Sequence, residues 1–161
     1  VMVLVLADRK EPEEALAKVD WSLLVFFACL FVVVAGLEST GLVRQAWEGM
    51  RGHVSLDDPS GLAVLTALLT VGSNLVSNVP MVLLTGPHLA ELGDPERAWA
   101  LVAFVTTVAG NLTLVGSVAN LIVAERARTH YELGFMEYLR FGAASTILVL
   151  LAGVPIVCLS T

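Results

Sequence analysis

Charged side chains are scarce in this 161-residue sequence, which contains 15% charged and 57% hydrophobic residues. Soluble globular domains contain about 25% charged residues. The charges are also segregated, because the stretches 21–37, 59–90, 98–124 and 141–161 contain none. A bilayer requires about 20 apolar residues for each spanning helix. This composition excludes a soluble enzyme and predicts an all-α integral membrane protein in contact with the lipid bilayer.

The sequence also lacks a cluster of basic residues and any cysteine spacing typical of a metal site or a disulfide framework. A formal net charge of −6 excludes nucleic acid as a partner, because phosphate binding requires clustered Lys and Arg. Cys29 and Cys158 each lie in an apolar run, which argues against a disulfide framework or a zinc site. His53, His88 and His130 have no ligand spacing and are expected at the surface. No resident cofactor is predicted.

Two segments have the length and composition of plain membrane spans. Residues 21–41 predict the first span, and residues 141–161 predict the last one. Residues 8–20 and 125–140 are charged connectors, the latter amphipathic, and residues 43–58 form a polar loop. With the other apolar stretches, the chain is expected to have about three full spans, a re-entrant helical hairpin and a discontinuous helix.

The apolar stretch 59–90 is longer than a simple span and is interrupted at its centre. The interruption is expected to depend on Gly72 and Pro80, since Pro lacks a backbone donor and disfavours helix at the preceding residue. One interpretation is a re-entrant hairpin with arms at about 61–72 and 81–90. The other is a single kinked helix that spans the membrane.

The distribution of Lys and Arg favours the hairpin. If 59–90 re-enters, connectors 8–20 and 125–140 share one side, with six Lys and Arg against three on the other side. The more basic side is then predicted to be cytoplasmic, and the membrane is expected to be the plasma membrane of a prokaryote. If 59–90 crossed once, the basic residues would be divided almost evenly.

Residues 98–124 form another apolar stretch that is interrupted near its centre. Gly110 and Gly116 are expected to break the helix in mid-span, among several hydroxyl and amide side chains. Irregular backbone inside a membrane persists only where protein or a watery cavity covers it, and broken helices are typical of secondary transporters. Freed N–H groups suit an anion, whereas carbonyl and hydroxyl oxygens suit Na⁺. No charged residue lies at mid-membrane, so H⁺ coupling would need Glu38 or another part of the protein.

Two sequence stretches resemble a known superfamily. GNLTLVGSVANLIVAERAR (110–128) and SNLVSNVPMVLL (73–84) resemble the arsenite-permease, silicon-efflux and citrate-transporter-like families of the ion transporter superfamily. In the related sodium/dicarboxylate symporters a hairpin tip reads Ser-Asn-Thr, and residues 77–79 match it with Val in place of Thr. The substitution favours the arsenite or silicon efflux branch. The resemblance implies the C-terminal half of a transporter, the second of two inverted repeats, with residues 1–7 as the tail of a preceding helix.

The resemblance and the broken segments together predict a secondary-active transporter of an anion or small oxyacid, coupled to H⁺ or Na⁺. Substrate or ion contacts are expected from Ser77, Asn78, Ser117 and Asn120, with support from Ser73, Asn74, Asn111 and Thr113. A sodium site is expected near Ser77, Asn78 and Gly116. The predicted partners are a small inorganic or organic anion, the missing N-terminal half and a second copy in a homodimer.

Other interpretations of the same residues are a complete protein with a short apolar start, and Ser, Thr and Asn side chains that serve only helix packing. A helical membrane assembly subunit would fit that second view. An intramembrane serine protease using Ser117 or Ser77 is a further alternative, but the uncharged stretches supply no base except His88.

Overall fold

The fold was obtained as a computed structural model that describes residues 21–160. The predictions for residues 1–7 and for connector 8–20 fall outside the described residues. As the sequence predicted, the described chain is helical. It contains α1 (Trp21–Ser39), α2 (Leu42–Met50), α3 (Pro59–Val76), α4 (Asn78–Thr85), a 3₁₀ turn (Gly86–Leu92), α5 (Pro95–Ala109), a second 3₁₀ turn (Leu114–Gly116), α6 (Val118–Ala127) and α7 (Phe135–Ser160).

Two of these helices, α3 and α7, are long and apolar enough to cross a membrane. A third candidate joins α1 to α2, although the pair is bent by 65° at the break between them. Gly41 produces this bend, because its φ of 74° is a left-handed conformation that glycine adopts without a steric penalty.

The structure corrects two connectors. The predicted polar loop 43–58 begins with helix α2, which forms because Trp47 is buried on one face while Arg44 and Glu48 pair on the exposed side. The predicted connector 125–140 is shorter than expected, because α6 continues to Ala127 and α7 already begins at Phe135.

Helix α3 is longer than the predicted hairpin arm 61–72. It begins where the Asp58 carboxylate accepts a hydrogen bond from the Gly61 N–H at 2.9 Å, with Pro59 in the first turn. It then continues through Gly72, so the prediction that Gly72 breaks the helix is wrong. Pro80 does not interrupt a helix either: it lies in the first turn of α4, where a missing N–H costs little.

The chain reverses direction between α3 and α4, and the break falls at Ser77. Met81 packs on Gly72 so closely that a Cβ added to Gly72 would lie 2.5 Å from the Met81 sulfur. In one continuous helix, residues nine apart would be separated by about 13.5 Å along the axis. Gly72 therefore allows the two arms to pack together.

The two ends of segment 59–90 lie at the same end of the helical bundle. Arg97, which follows the segment, pairs with Asp57, which precedes it, at 3.2 Å. Trp47 Nε1 donates to the Glu91 carboxylate at 3.3 Å. These contacts are expected of a chain that enters and returns.

Helix α5 is the centre of the described core. Leu101, Val102 and Val105 have no exposed surface, and they pack with Leu65 and Leu69 of α3. Helix α7 packs on α5 where Gly153 lies directly against the Phe104 ring. Helix α5, the first half of the second broken segment, therefore packs directly against helix α3 of the first.

Candidate functional site

The two interrupted helices meet through the side chain of Asn74. Its Nδ2 group donates to the Ala109 carbonyl at 2.8 Å and to the Thr70 carbonyl at 2.9 Å. Its Oδ1 atom accepts from the Thr113 hydroxyl at 2.9 Å. One amide therefore ties the last turn of α3 to the end of α5 and to the unwound residues beyond it.

Ser73 adds a second connection beside Asn74. This fully buried side chain donates from Oγ to the Thr106 carbonyl of α5 at 3.3 Å. The Thr106 hydroxyl in turn donates to the Val102 carbonyl at 2.8 Å. A buried hydroxyl with a partner avoids the cost of an unsatisfied polar group.

Gly116 permits the close approach of the two interruptions. Its Cα packs against Asn74 Oδ1, and an added Cβ would also lie 3.0 Å from the Gly110 carbonyl and 3.1 Å from the Thr113 hydroxyl. Gly110 ends α5, and its added Cβ would lie 3.4 Å from the Ser117 Cβ. Both glycines therefore lie at the second interruption, as the sequence predicted.

Asn120 and Ser117 stabilise the far side of the second interruption. Asn120 Nδ2 donates to the Gly110 carbonyl at 2.8 Å and, more weakly, to the Thr113 carbonyl at 3.4 Å, which also accepts from the Gly116 N–H at 3.1 Å. Ser117 is the N-cap of α6, where its Oγ accepts from the Ala119 N–H at 3.3 Å. These contacts satisfy backbone groups that unwinding would otherwise leave exposed at the helix ends.

Ser77 and Asn78 form the tip between α3 and α4. Asn78 Oδ1 accepts from the Val79 N–H at 2.9 Å and, more weakly, from the Ser77 hydroxyl at 3.4 Å. Ser77 lines a cavity of about 360 Å³ that also contains Asn74 and Val115. The opposite wall of this cavity is apolar and comes from α1, with residues that include Phe26, Leu30 and Val34.

The structure separates some of the residues that the sequence grouped together. Asn78 lines a different cleft from Ser77, together with Thr106 and Thr107 of α5. Asn111 lines a third cleft with Tyr138 and Ser145, on the side facing α7. Within residues 21–160, no group of three or more His, Cys, Asp or Glu side chains could hold a metal ion. The sodium site near Ser77, Asn78 and Gly116 stays a prediction.

Sequence reasoning missed several residues that shape the site. Thr70 and Thr106 provide backbone acceptors for Asn74 and Ser73, and only a three-dimensional packing argument could have identified them. Gly142 of α7 lies directly against the Asn111 carbonyl, and an added Cβ would be 2.8 Å from the Leu112 carbonyl. A small-residue run within a predicted span, Gly142-Ala143-Ala144-Ser145, was the available signal.

Interrupted apolar helices that meet around a partly polar cavity define a class of helical membrane proteins, to which secondary transporters belong. A sequence profile of the citrate transporter family matches residues 1–109. The chain therefore belongs to the citrate transporter family, whose members are transporters rather than enzymes, and the protease alternative is excluded.

Curated relatives agree with this assignment. The chain is 47% identical over 99% of its length to a Dictyostelium discoideum protein with the transporter name arsB, of which it covers 29%. It is 42% identical over 97% of its length to the silicon efflux transporter LSI3 of Oryza sativa subsp. japonica, of which it covers 34%. It is 33% identical over 88% of its length to the human P protein, of which it covers 18%. The chain thus spans at most about a third of these relatives' lengths, and no solved structure matches it.

Proposed function

We propose that this chain forms part of the substrate pathway of a secondary-active transporter for an anion or small oxyacid, coupled to a gradient of H⁺ or Na⁺. The observation that carries the proposal is the contact between the two helix interruptions, where Thr113 donates to Asn74 at 2.9 Å. In a subunit whose helices serve only assembly, two helix interruptions would not be expected to contact each other. In transporters, discontinuous helices meet at the substrate site.

The chemistry at the hairpin tip favours a ligand that accepts hydrogen bonds. No described protein group accepts a hydrogen bond from Asn78 Nδ2, and the Ser77 hydroxyl makes only a 3.4 Å contact with Asn78. Helix α4 has no side-chain cap at its N-terminus, so the positive end of its dipole is not neutralised there. An oxyanion or a neutral oxyacid fits this set of donors better than a cation does.

The proposal includes a topology. Segment 59–90 enters the membrane and returns to the same side as a re-entrant hairpin, because Asp57 and Arg97 flank it and pair at 3.2 Å. Connectors 8–20 and 125–140 then face the cytoplasm, and α2 lies on the opposite side. The relatives include eukaryotic proteins, so they lend no support to a prokaryotic plasma membrane in particular.

The names of the relatives suggest the first substrates to test. One relative is a silicon efflux transporter and another has the name arsB, so we propose efflux of arsenite or silicic acid in preference to carboxylate uptake. Val79 in the place of the Thr of dicarboxylate symporters agrees with this preference.

The test is growth on arsenite of a host without its own arsenite efflux pump, expressing the full-length protein. Wild type is expected to rescue growth, whereas Asn78→Ala and Asn120→Ala are expected to fail despite normal membrane insertion. Asn111→Ala is the matched control and should rescue, because its side chain faces α7 and lines no cleft at the tip between α3 and α4. Full rescue by Asn78→Ala and Asn120→Ala would refute the site. No rescue by wild type would refute arsenite as substrate, and carboxylate uptake would be measured next.

A further inference from the structure

A cluster of aromatic and ionic side chains joins α2 to the Gly86–Leu92 turn, away from the transport site. The Trp47 and His88 rings are stacked, with centroids 5.1 Å apart and an angle of 18° between the planes. Glu91 lies beside both rings: it is 3.4 Å from His88 Nδ1 and accepts from Trp47 Nε1 at 3.3 Å. Arg51 approaches Glu91 at 3.7 Å.

The two rings of the cluster are largely shielded from solvent, whereas the Glu91 side chain is 40% exposed. Trp47 is only 3% exposed, and the His88 side chain is 14% exposed. Trp47 belongs to a nine-residue helix, and its stacking and hydrogen bond connect that helix to the returning end of the hairpin. A change in this contact would therefore release α2 from the hairpin.

Imidazole is the side chain that changes charge near neutral pH, and His88 supplies the imidazole of this cluster. The charged residues of the elements packed against it are Arg44 and Glu48 of α2, Arg51 directly after α2, and Glu96 and Arg97 of α5, while α4 has none. Arg44 pairs with Glu48, and Arg97 pairs with Asp57. Of the charged groups, Glu91 contacts His88 directly, and Arg51 contacts Glu91.

We propose that Trp47, His88 and Glu91 form a pH-responsive latch, which holds α2 against the Gly86–Leu92 turn more tightly when His88 is protonated. A protonated imidazole is a cation over the indole face and an ion-pair partner for the carboxylate. A cation–π contact alone corresponds to a roughly 2- to 30-fold change in the closing equilibrium. This device is separate from substrate binding, so it holds whichever ion the protein moves.

Glu91 sets the acid limit of the latch. The hydrogen bond to His88 is the largest of the effects that lower the pKa of Glu91 below its ordinary 4.5, and Trp47 and Arg51 also lower it. A lowered pKa in the folded state means that the Glu91 contacts are present above that value and are lost as the pH falls through it. The latch therefore requires an ionised Glu91 together with a protonated His88.

The first experiment measures Trp fluorescence of the purified full-length protein from pH 8 to pH 5, because a protonated imidazole in contact with indole quenches its emission. Emission is expected to fall on acidification, and this fall should be absent in His88→Gln and in Trp47→Phe. His53→Gln, which changes an exposed histidine, is the matched control and should titrate like wild type. A parent that does not titrate, or a His88→Gln variant that titrates like the parent, would overturn the proposal.

The second experiment measures tightness directly by amide hydrogen exchange of residues 42–50. Wild type and His88→Gln share this peptide, so intrinsic exchange rates cancel when the two are compared at the same pH. Exchange in wild type is expected to be roughly 2- to 30-fold slower than in His88→Gln at pH 5.5, and nearly equal at pH 8. A ratio that does not change with pH would refute a latch even if the fluorescence titrates. Neither measurement involves transport, so failure here would leave the proposed function intact.

Discussion

Ser77 provides the most specific prediction, because its backbone conformation favours glycine whereas its side-chain hydroxyl is expected to serve transport. Among residues 21–160 it is the only non-glycine residue with a positive φ, at 74°, and its ψ is 160°. Residues with a Cβ rarely adopt this combination, and such strain costs about 1–3 kcal/mol. Glycine adopts it freely but loses about 0.5–1 kcal/mol more conformational entropy on folding. Ser77→Gly should therefore stabilise the protein by up to about 2.5 kcal/mol.

The same substitution removes the hydroxyl that lines the cavity between the hairpin tip and α1. We therefore expect Ser77→Gly to raise thermal stability while it lowers transport. The stability assay is thermal unfolding in detergent, where each kcal/mol shifts the midpoint by about 2–4 °C for a domain of this size. The transport assay is growth on arsenite, as for the Asn78 and Asn120 variants.

Gly41 offers a control for the positive φ alone, because its ψ of 0° differs from the 160° of Ser77. It has the same φ of 74°, and an added Cβ would meet nothing within 4 Å. Gly41→Ala should therefore report the cost of a left-handed conformation alone, about 1–2 kcal/mol of destabilisation. Lower stability of Ser77→Gly would refute the strain argument, and unchanged transport would refute a role for the hydroxyl in the substrate site.

Three further predictions concern the surrounding scaffold. Asn74→Asp keeps the shape of the side chain but replaces its N–H donors with an oxygen that faces two backbone carbonyls. The free energy of unfolding in detergent should therefore fall by more than about 2 kcal/mol. A neutral effect would contradict the hydrogen-bond network around Asn74. Gly142→Ala should destabilise by about 1–3 kcal/mol because its Cβ would press on the Asn111 and Leu112 carbonyls, whereas Gly36→Ala, with open space around it, should be neutral or slightly stabilising. The pKa of Asp58 is lowered, first by the Ser60 hydroxyl and then by the Gly61 N–H. The contribution of Asp58 to stability is therefore present above pH 3.8 and is lost as the pH falls through the folded-state pKa. In a plot of thermal midpoint against pH, Asp58→Asn should flatten the acid limb.

The sequence predicted the helical class and the positions of the interruptions more accurately than the boundaries of the helices. Uncharged length is a direct consequence of the bilayer, so the span that corresponds to α7 was identifiable from composition, whereas α3 was predicted only as a shorter arm at 61–72. Helix α2 was missed because only nine residues form it and because the burial of Trp47 depends on His88 and Glu91, far along the chain. Local patterns contain no information about such a partner.

The location of the first break shows why helix propensity was misleading. Gly72 is the weakest helix former of its neighbourhood, yet it remains helical because its missing side chain provides space for Met81. The chain breaks instead at Ser77, where an ordinary residue is held in a strained conformation by the packing of both arms. Propensity describes the local cost of a conformation, whereas the fold of this hairpin depends on contacts between its arms.

The polar residues that the sequence analysis placed in one site fall into two sets, according to their hydrogen-bond partners in the structure. Ser73, Asn74 and Thr113 use their hydrogen-bonding groups on each other or on the backbone, and Asn120 donates to two carbonyls at the second interruption. Substitutions in this first set should lower stability and transport together.

The second set consists of Ser77 and Asn78, whose hydrogen-bond donors are not fully used within the described protein. Within the described part of the chain, Asn78 Nδ2 has no acceptor, and the Ser77 hydroxyl makes only a long contact. Both are donors, both belong to the strained tip, and both lie next to the N-terminus of α4. If these donors bind the substrate, variants of the tip should reduce transport without loss of stability. That separation of effects, rather than loss of transport alone, distinguishes a substrate contact from the scaffold that holds it.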